Sequence, residues 1–192
     1  MKKNIIMFGF AAMMILIIVC FTDIQSVDEY YMTHMEDITP DSQIVTVSIV
    51  CNTLRKEENW NRLEKQLQDE KYVPEDVIIL EETTYVLRPG DTAYDLLNRA
   101  CRYNQIQMEY VGAKDTSYGS TYVRGINYLY EHSCGPLSGW MYRVNDSYPG
   151  VGCAAYELED GDKIEWIYSC DLGRDIGNIY TTEPQSGKEV GK

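Results

Sequence analysis

An apolar run near the N-terminus divides this chain into two parts that suit different solvents. Residues 5–21 contain no charge and no proline, and Lys2 and Lys3 precede them. As a helix this run would be about 25 Å long, close to the bilayer core of about 30 Å. All 3 phenylalanines lie in residues 5–21 and all 16 tyrosines lie outside. The water-exposed fold must therefore be built from the residues that follow position 22.

The charges around this run predict that the rest of the chain is exported. Lysines precede the run and acidic residues follow it, which favours a cytoplasmic N-terminus. Three interpretations of residues 1–22 remain open: an uncleaved signal anchor, a cleaved signal peptide, and a lipoprotein signal with lipidation at Cys20. No small-x-small cleavage site follows the run, and Val19 stands where a lipobox has a small residue. We favour the anchor, with the folded part at the outer side of the cell membrane; a lipoprotein or a secreted protein are the alternatives.

The net charge and the small number of histidines argue against two functional classes. The formal net charge is −13, and a nucleic-acid-binding protein needs a field of the opposite sign. The chain has only 2 histidines, so it is poorly supplied for hydrolytic or metal-dependent catalysis. Glu159, Asp160 and Asp162 are carboxylates near one another, but Asp-Gly-Asp before a strand is typical of a turn. We therefore predict no metal site and no nucleic-acid partner.

The local sequence pattern predicts the order of the folded elements. Alternating apolar residues predict strands at 44–51, 77–87, 106–110, 139–145 and 163–170. An apolar stripe predicts a helix over 54–71, and a clearer one begins at residue 93, where Asp91 or Thr92 can cap it. The tyrosine-rich stretch 118–130 is typical of loops. We predict an α+β fold: a small mixed sheet packed on one main helix.

The same pattern predicts the domain limits and the state of one cysteine. Residues 23–43 form an acidic spacer, 44–176 the folded domain, and 177–192 a disordered tail. Five cysteines follow the N-terminal segment, and export makes disulfides the default expectation. Because five is odd, at least one thiol stays free. Cys101 lies on the buried face of the second helix, so we predict that it is the free thiol.

Three segments together resemble a known family. They are Gly90 to Leu97 (GDTAYDLL), Ser138 to Asn145 (SGWMYRVN) and Leu158 to Tyr168 (LEDGDKIEWIY). Over about residues 44–173 the chain resembles the transcobalamin C-terminal-like family, the domain of unknown function numbered 4430. The resemblance implies a β-grasp-like fold that binds a small ligand and catalyses nothing, with cobalamin or another corrinoid as the first candidate. In the vitamin carriers a helical barrel supplies the other half of the site, so a helical-barrel partner protein is implied here.

The resemblance also implies a disulfide pairing. In a β-grasp sheet the first and last strands run side by side in parallel. Cys51 and Cys170 close those two strands, which suggests that they pair. Cys134 and Cys153 would then form the second bridge, around the strand that contains SGWMY.

Aromatic residues are the candidates for ligand contact. Trp140 and Tyr142 share one strand face, and Trp166 and Tyr168 share another; we expect one pair to fill the core and the other to offer a surface. Two further ligand candidates, Tyr118 and Tyr122, lie in the tyrosine-rich stretch. The leading hypothesis is a membrane-tethered extracellular binding module that requires no cofactor. The alternative is a protein-interaction module of a bacterial cell-surface assembly.

Overall fold

The computed structural model describes residues 38–115 and 120–178. The predicted anchor, Cys20, most of the acidic spacer, Tyr118 and most of the predicted tail lie outside these residues. Among the residues that the structure describes, no helix is long and apolar enough to cross a membrane.

The described residues form an α+β fold, as predicted, with one main helix. The strands are β1 (Ile44–Val50), β2 (Ile78–Val86), β3 (Met108–Val111), β4 (Tyr122–Ile126), β5 (Leu129–Tyr130), β6 (Gly139–Val144) and β7 (Lys163–Ser169). The helices are the short α1 (Glu57–Arg62) and the main helix α2 (Ala93–Tyr103). Three 3-10 turns lie at Asn52–Arg55, Lys65–Leu67 and Arg174–Ile176.

Four strands form the sheet that carries most of the core. Their order is β2-β1-β7-β6. The two central strands, β1 and β7, are parallel, with Ile49 opposite Trp166, and each outer strand is antiparallel to its neighbour. The first and last strands therefore run side by side, which is the arrangement that the predicted β-grasp-like sheet requires. The inner faces of β1 and β7 are fully buried, because apolar residues alternate along both.

The prediction of a single sheet and of a tyrosine-rich loop is wrong. A second, three-stranded sheet has the order β3-β4-β5, and two of its strands lie in the stretch that was expected to be loop. Asn127 and Tyr128 connect them, both with positive φ (52° and 65°). Two successive residues of this kind form the tight turn whose twist suits a hairpin. The usual signal for such a turn is Asn-Gly, and Tyr128 stands in place of the glycine.

The predicted helix over 54–71 is broken into α1 and two flanking 3-10 turns. Leu63 and Glu64 adopt extended conformations, and the backbone N–H of Glu64 donates to the carbonyl of Ser133 at 3.0 Å. The side-chain amide of Gln68 donates to the carbonyls of Trp60 and Leu63 at 2.6 and 3.0 Å. The Gln68 bonds satisfy backbone carbonyls at the end of α1, and the Glu64 bond ties the segment to the turn at Ser133. The helix therefore does not continue.

The main helix α2 begins as the sequence predicts. Thr92 is the N-cap: its Oγ1 accepts from the N–H of Asp95 at 3.2 Å, and the Asp95 carboxylate accepts from the N–H of Thr92 at 3.0 Å. This reciprocal pair satisfies two donors that the first turn leaves free. The buried face of α2 contains Leu96, Leu97 and Cys101, and the helix packs on β1.

Candidate functional site

The four predicted aromatic residues of β6 and β7 lie on one face of the sheet. Trp140 is opposite Tyr168, and Tyr142 is opposite Trp166. The first pair meets edge to face, with centroids 5.3 Å apart, and the second is stacked at 5.4 Å. The expectation of two separate faces is therefore wrong, because the antiparallel register aligns the two alternating patterns.

Trp140 belongs to the core and forms the inner wall of the candidate site. Its side chain is 4% exposed, and its Nε1 donates to the carbonyl of Leu129 on β5 at 2.7 Å. This bond joins the two sheets. Replacing Trp140 would therefore test the stability of the fold as well as any contact with a ligand.

Tyr142 is the half-buried neighbour of Trp140 on the same strand. Its hydroxyl donates to the carbonyl of Val151 at 2.8 Å and so fixes the loop that follows β6. Burial is the largest cause of a raised pKa for Tyr142. The phenol therefore remains a neutral hydrogen-bond donor.

A cavity of about 220 Å³ lies over this aromatic face. Its walls include Tyr122, Trp140, Tyr142 and Trp166, and residues 148–153 form part of its border. Trp166 Nε1 is buried and has no hydrogen-bond partner among the described residues. The cavity thus combines apolar walls with a wall residue that carries an unused donor.

A larger groove of about 650 Å³ adjoins the cavity. The two share Tyr122, Trp140 and Met141 as lining residues. Leu137 and Leu172 also line the groove and are 40% and 44% exposed. Its lining also includes two carboxylates, Asp115 and Glu131, and the imidazole of His132. Three of the four predicted ligand residues, Trp140, Tyr142 and Tyr122, line the cavity, while Tyr118 lies outside the described residues.

The structure does not form the two predicted disulfides. The five cysteines of the described residues are all buried free thiols. Val50 is opposite Ile167 in the parallel register. The next residue, Cys51, therefore lies beside Tyr168, which is two residues before Cys170. Two residues correspond to about 6.6 Å along a strand. The Cys51 thiol instead donates to the carbonyl of Val77 at 3.4 Å.

Cys153 is also engaged away from its predicted partner. Its thiol lies 3.7 Å from the carbonyl of Thr121, to which it donates, while the Cys134 thiol donates to the carbonyl of Asn59 at 3.3 Å. Burial raises the pKa of Cys153 to about 11 and that of Cys51 and Cys101 to about 12. These three thiols are therefore held protonated at neutral pH, which does not suit nucleophilic catalysis.

The acidic turn before β7 uses its carboxylates to hold the backbone. Asp160 accepts from the N–H of Ile44 at 2.7 Å. Asp162 accepts from the N–H of Glu159 at 2.9 Å and from the side-chain amide of Asn145 at 2.7 Å. Within the described ranges, no group of three or more His, Cys, Asp or Glu side chains is placed to hold a metal ion.

A buried ion pair near the start of α2 has no counterpart in the sequence analysis. Asp91 and Arg99 form two hydrogen bonds, of 2.7 and 3.2 Å, with both side chains 9% exposed. Arg99 also donates to the carbonyl of Val86 at 3.1 Å. Of the two candidate caps, Thr92 has that role. Asp91 instead binds the guanidinium of Arg99, about two helical turns later.

Comparison with known proteins supports the family resemblance. Residues 90–169 match the model of the family described as "Domain of unknown function (DUF4430)". This range contains all three resembling segments, and the suspected match to this family is confirmed for these residues. One similar solved structure is the "Crystal Structure of Haptocorrin in Complex with Cbi", with 14% identity, a TM-score of 0.41, and coverage of 70% of this chain and 27% of that chain. The chain thus spans about a quarter of the haptocorrin chain. No match was found among curated proteins.

Proposed function

We propose that this domain is a non-catalytic module that binds a small ring-containing ligand in the groove beside Trp140. The observation that carries the proposal is the concave surface shared by Tyr122, Trp140 and Met141, which continues from the cavity into the groove. Small-molecule sites are typically concave and apolar with a few polar groups. A flat patch would instead have favoured a protein partner.

The cavity and the groove differ in volume, so we propose that they hold different parts of one ligand. The groove, at about 650 Å³, lies within the usual range of roughly 300–1,000 Å³ for ligand sites. The cavity of about 220 Å³ suits only a single ring or side chain of the ligand. The ligand that fits is therefore larger than the cavity.

Corrinoids are the first ligands to test. The matched family carries no functional description, so the choice rests on the resemblance to transcobalamin C-terminal-like domains. A macrocycle placed over Leu137 and Leu172 would keep its other face open to solvent. We therefore propose weak binding by the domain alone, and a helical-barrel protein as the partner that covers the second face.

The test is a titration of the purified full chain, in mild detergent, with cobinamide and with cobalamin. We expect a dissociation constant in the micromolar range by calorimetry or by a shift of the visible spectrum. Tyr122→Ala and Leu137→Ser each remove a partly exposed lining side chain and should weaken binding roughly 10-fold or more. Tyr103→Ala is the matched control, because this exposed tyrosine on α2 lines neither space.

The titration has two outcomes that count against the proposal. Absence of binding at high micromolar protein refutes the stand-alone corrinoid site. Equal weakening by Tyr103→Ala and Tyr122→Ala refutes the groove as the location. The exposed apolar side chains of Leu137 and Leu172 favour one alternative, a protein-interaction surface. That alternative predicts a partner whose binding is lost in Leu137→Ser and retained in Tyr103→Ala.

We also propose that residues 1–22 tether the domain to the outer side of a cell membrane. The support is the apolar run with its preceding lysines. When protease is added to intact cells that express the full chain, the domain should be digested. A variant that begins at residue 23 should remain in the soluble cytoplasmic fraction. Protection of the full chain from protease would refute the orientation.

A further inference from the structure

The turn before β6 lies against the end of β7. Gly139 pairs with Ser169 in the antiparallel register of these strands. Beyond the strands, the N–H of Leu172 donates to the carbonyl of Leu137 at 2.7 Å. The two chain segments therefore remain adjacent past the sheet. The contacts flank Cys170 and lie shortly after Cys134 in the other segment.

The thiols of Cys134 and Cys170 lie beside two buried polar residues, Asn59 and Thr53. Cys170 Sγ lies 3.6 Å from the hydroxyl of Thr53, and Cys134 Sγ lies 3.3 Å from the carbonyl of Asn59. Thr53 and Asn59 are themselves joined, because the Asn59 amide donates to the Thr53 carbonyl at 2.8 Å. The Asn59 side chain thus holds Thr53, which contacts the Cys170 sulfur, close to the Asn59 carbonyl, which contacts the Cys134 sulfur.

The protonation of the two thiols is also linked. A hydrogen bond between them is the largest cause of a lowered pKa for Cys134 and of a raised pKa for Cys170. Cys170 therefore keeps its proton, and Cys134 is the thiol that ionises more readily. Both side chains are completely buried, at 0% and 1% exposure, so this contact is internal to the fold.

We propose that Cys134 and Cys170 form a disulfide that ties the turn before β6 to the end of β7. The oxidant is a low-molecular-weight disulfide such as oxidised glutathione. The Cys134 thiolate attacks one sulfur of this disulfide and displaces the first glutathione thiolate. Cys170 then loses its proton and attacks the Cys134 sulfur, which displaces the second thiolate. Two protons leave the protein, and its two thiols are oxidised as the glutathione disulfide is reduced.

Burial decides when the bond forms and how it behaves. In the folded domain neither sulfur is open to solvent, so the exchange takes place while the chain is folding. Once formed, the bond is protected from reductants by the same burial. Cys51 and Cys153 donate to carbonyls elsewhere, and Cys101 lies on α2. The proposal leaves these three as free thiols.

Peptide mapping tests the pairing directly. The full chain is folded in a glutathione redox buffer, its free thiols are alkylated under denaturing conditions, and it is digested with trypsin without reduction. Cys20 and Cys51 share the tryptic peptide 4–55, and the other four cysteines fall on four different peptides, with Cys134 in 125–143 and Cys170 in 164–174. We expect these two peptides linked, and separated by reduction. A Cys51–Cys170 or Cys134–Cys153 link, or alkylation of both Cys134 and Cys170, overturns the proposal.

Thermal unfolding provides an independent readout. Reduction should lower the melting temperature by roughly 10 °C, because the bond closes a long loop in the unfolded chain. Cys134→Ser, Cys170→Ser and the double variant should all lose this redox dependence, whereas Cys101→Ser should keep it. Retention of the dependence in the double variant overturns the proposal. If the variants do not fold, the peptide map of the unmodified chain still decides.

Discussion

Removing one member of the buried Asp91–Arg99 pair should be among the most damaging single changes in the domain. In Asp91→Ala the guanidinium of Arg99 loses its two hydrogen bonds of 2.7 and 3.2 Å and keeps only the carbonyl of Val86. The N–H of Arg88, which donates to Asp91 at 2.9 Å, also loses its acceptor. A charge left unpaired in a buried position costs about 3–5 kcal/mol of the free energy of unfolding.

An exposed ion pair supplies the matched control. Arg124 and Glu109 are 3.0 Å apart, but both side chains are 43% exposed. Solvent screens such pairs, so Glu109→Ala should change the free energy of unfolding by about 0–1 kcal/mol. Arg124 also keeps its second partner, Glu131, at 3.1 Å. Both substitutions remove a carboxylate that pairs with a guanidinium, but they differ in burial and in the second carboxylate partner that Arg124 keeps.

Urea unfolding of the full chain in mild detergent measures both effects, with comparison of the slopes to verify two-state behaviour. The Asp91→Leu/Arg99→Met double variant completes the test. It replaces both charges by apolar groups and should be far less destabilised than the sum of its single variants. The reasoning is refuted if Asp91→Ala costs no more than Glu109→Ala, or if the double variant equals the sum.

Three further predictions concern other parts of the fold. Thr92→Ala removes the cap of α2 and should cost about 0.5–2 kcal/mol in urea unfolding, while Thr92→Ser should stay near the parent protein; equal loss in both would contradict the capping role. Gly125→Ala places a Cβ at 2.6 Å from the Tyr130 ring and should cost about 1–3 kcal/mol, and part of this loss should be recovered when Tyr130→Ala is added. Burial raises the pKa of the Cys101 thiol from 9.0 to about 12, so the unfolded thiol ionises first and the stability of the reduced protein should fall as pH rises from 9 to 12. Cys101→Ala should lessen this fall by up to about 1.4 kcal/mol per pH unit; an unchanged pH slope would contradict the burial argument.

The elements that the sequence predicts well are those whose signal is local. The strands β1, β6 and β7 show simple alternation, and α2 combines an apolar stripe with the capping residue Thr92. Each pattern is determined by which side of one element faces the core. The α+β class follows from their order, and the parallel contact of the first and last strands was implied by the family resemblance.

The elements that the sequence misses depend on distant contacts. The helix predicted over 54–71 ends early because Glu64 hydrogen-bonds to Ser133, and no pattern within 54–71 contains that information. The β4–β5 hairpin was missed because Tyr128 replaces the glycine that normally marks such a turn.

The candidate site shows the same limit. Trp140, Tyr142 and Tyr122 were selected from their chemistry, and the structure brings them together. Leu137 and Leu172 had no signal, since each is a single leucine in a loop. They become part of the groove because the chain on either side of β6 and β7 is held together.

The parallel pairing of β1 and β7 also constrains when this domain can fold during synthesis. Thr46 is opposite Lys163, so the ribosome must make almost the whole domain before its central strand acquires its second neighbour. Until then β1 can pair with β2, but its other edge exposes unpaired N–H and C=O groups. Such long-range closure is slow, and an open strand edge invites pairing with other chains. A nascent chain that stops before residue 163 therefore presents an aggregation-prone hairpin in place of a partly folded domain.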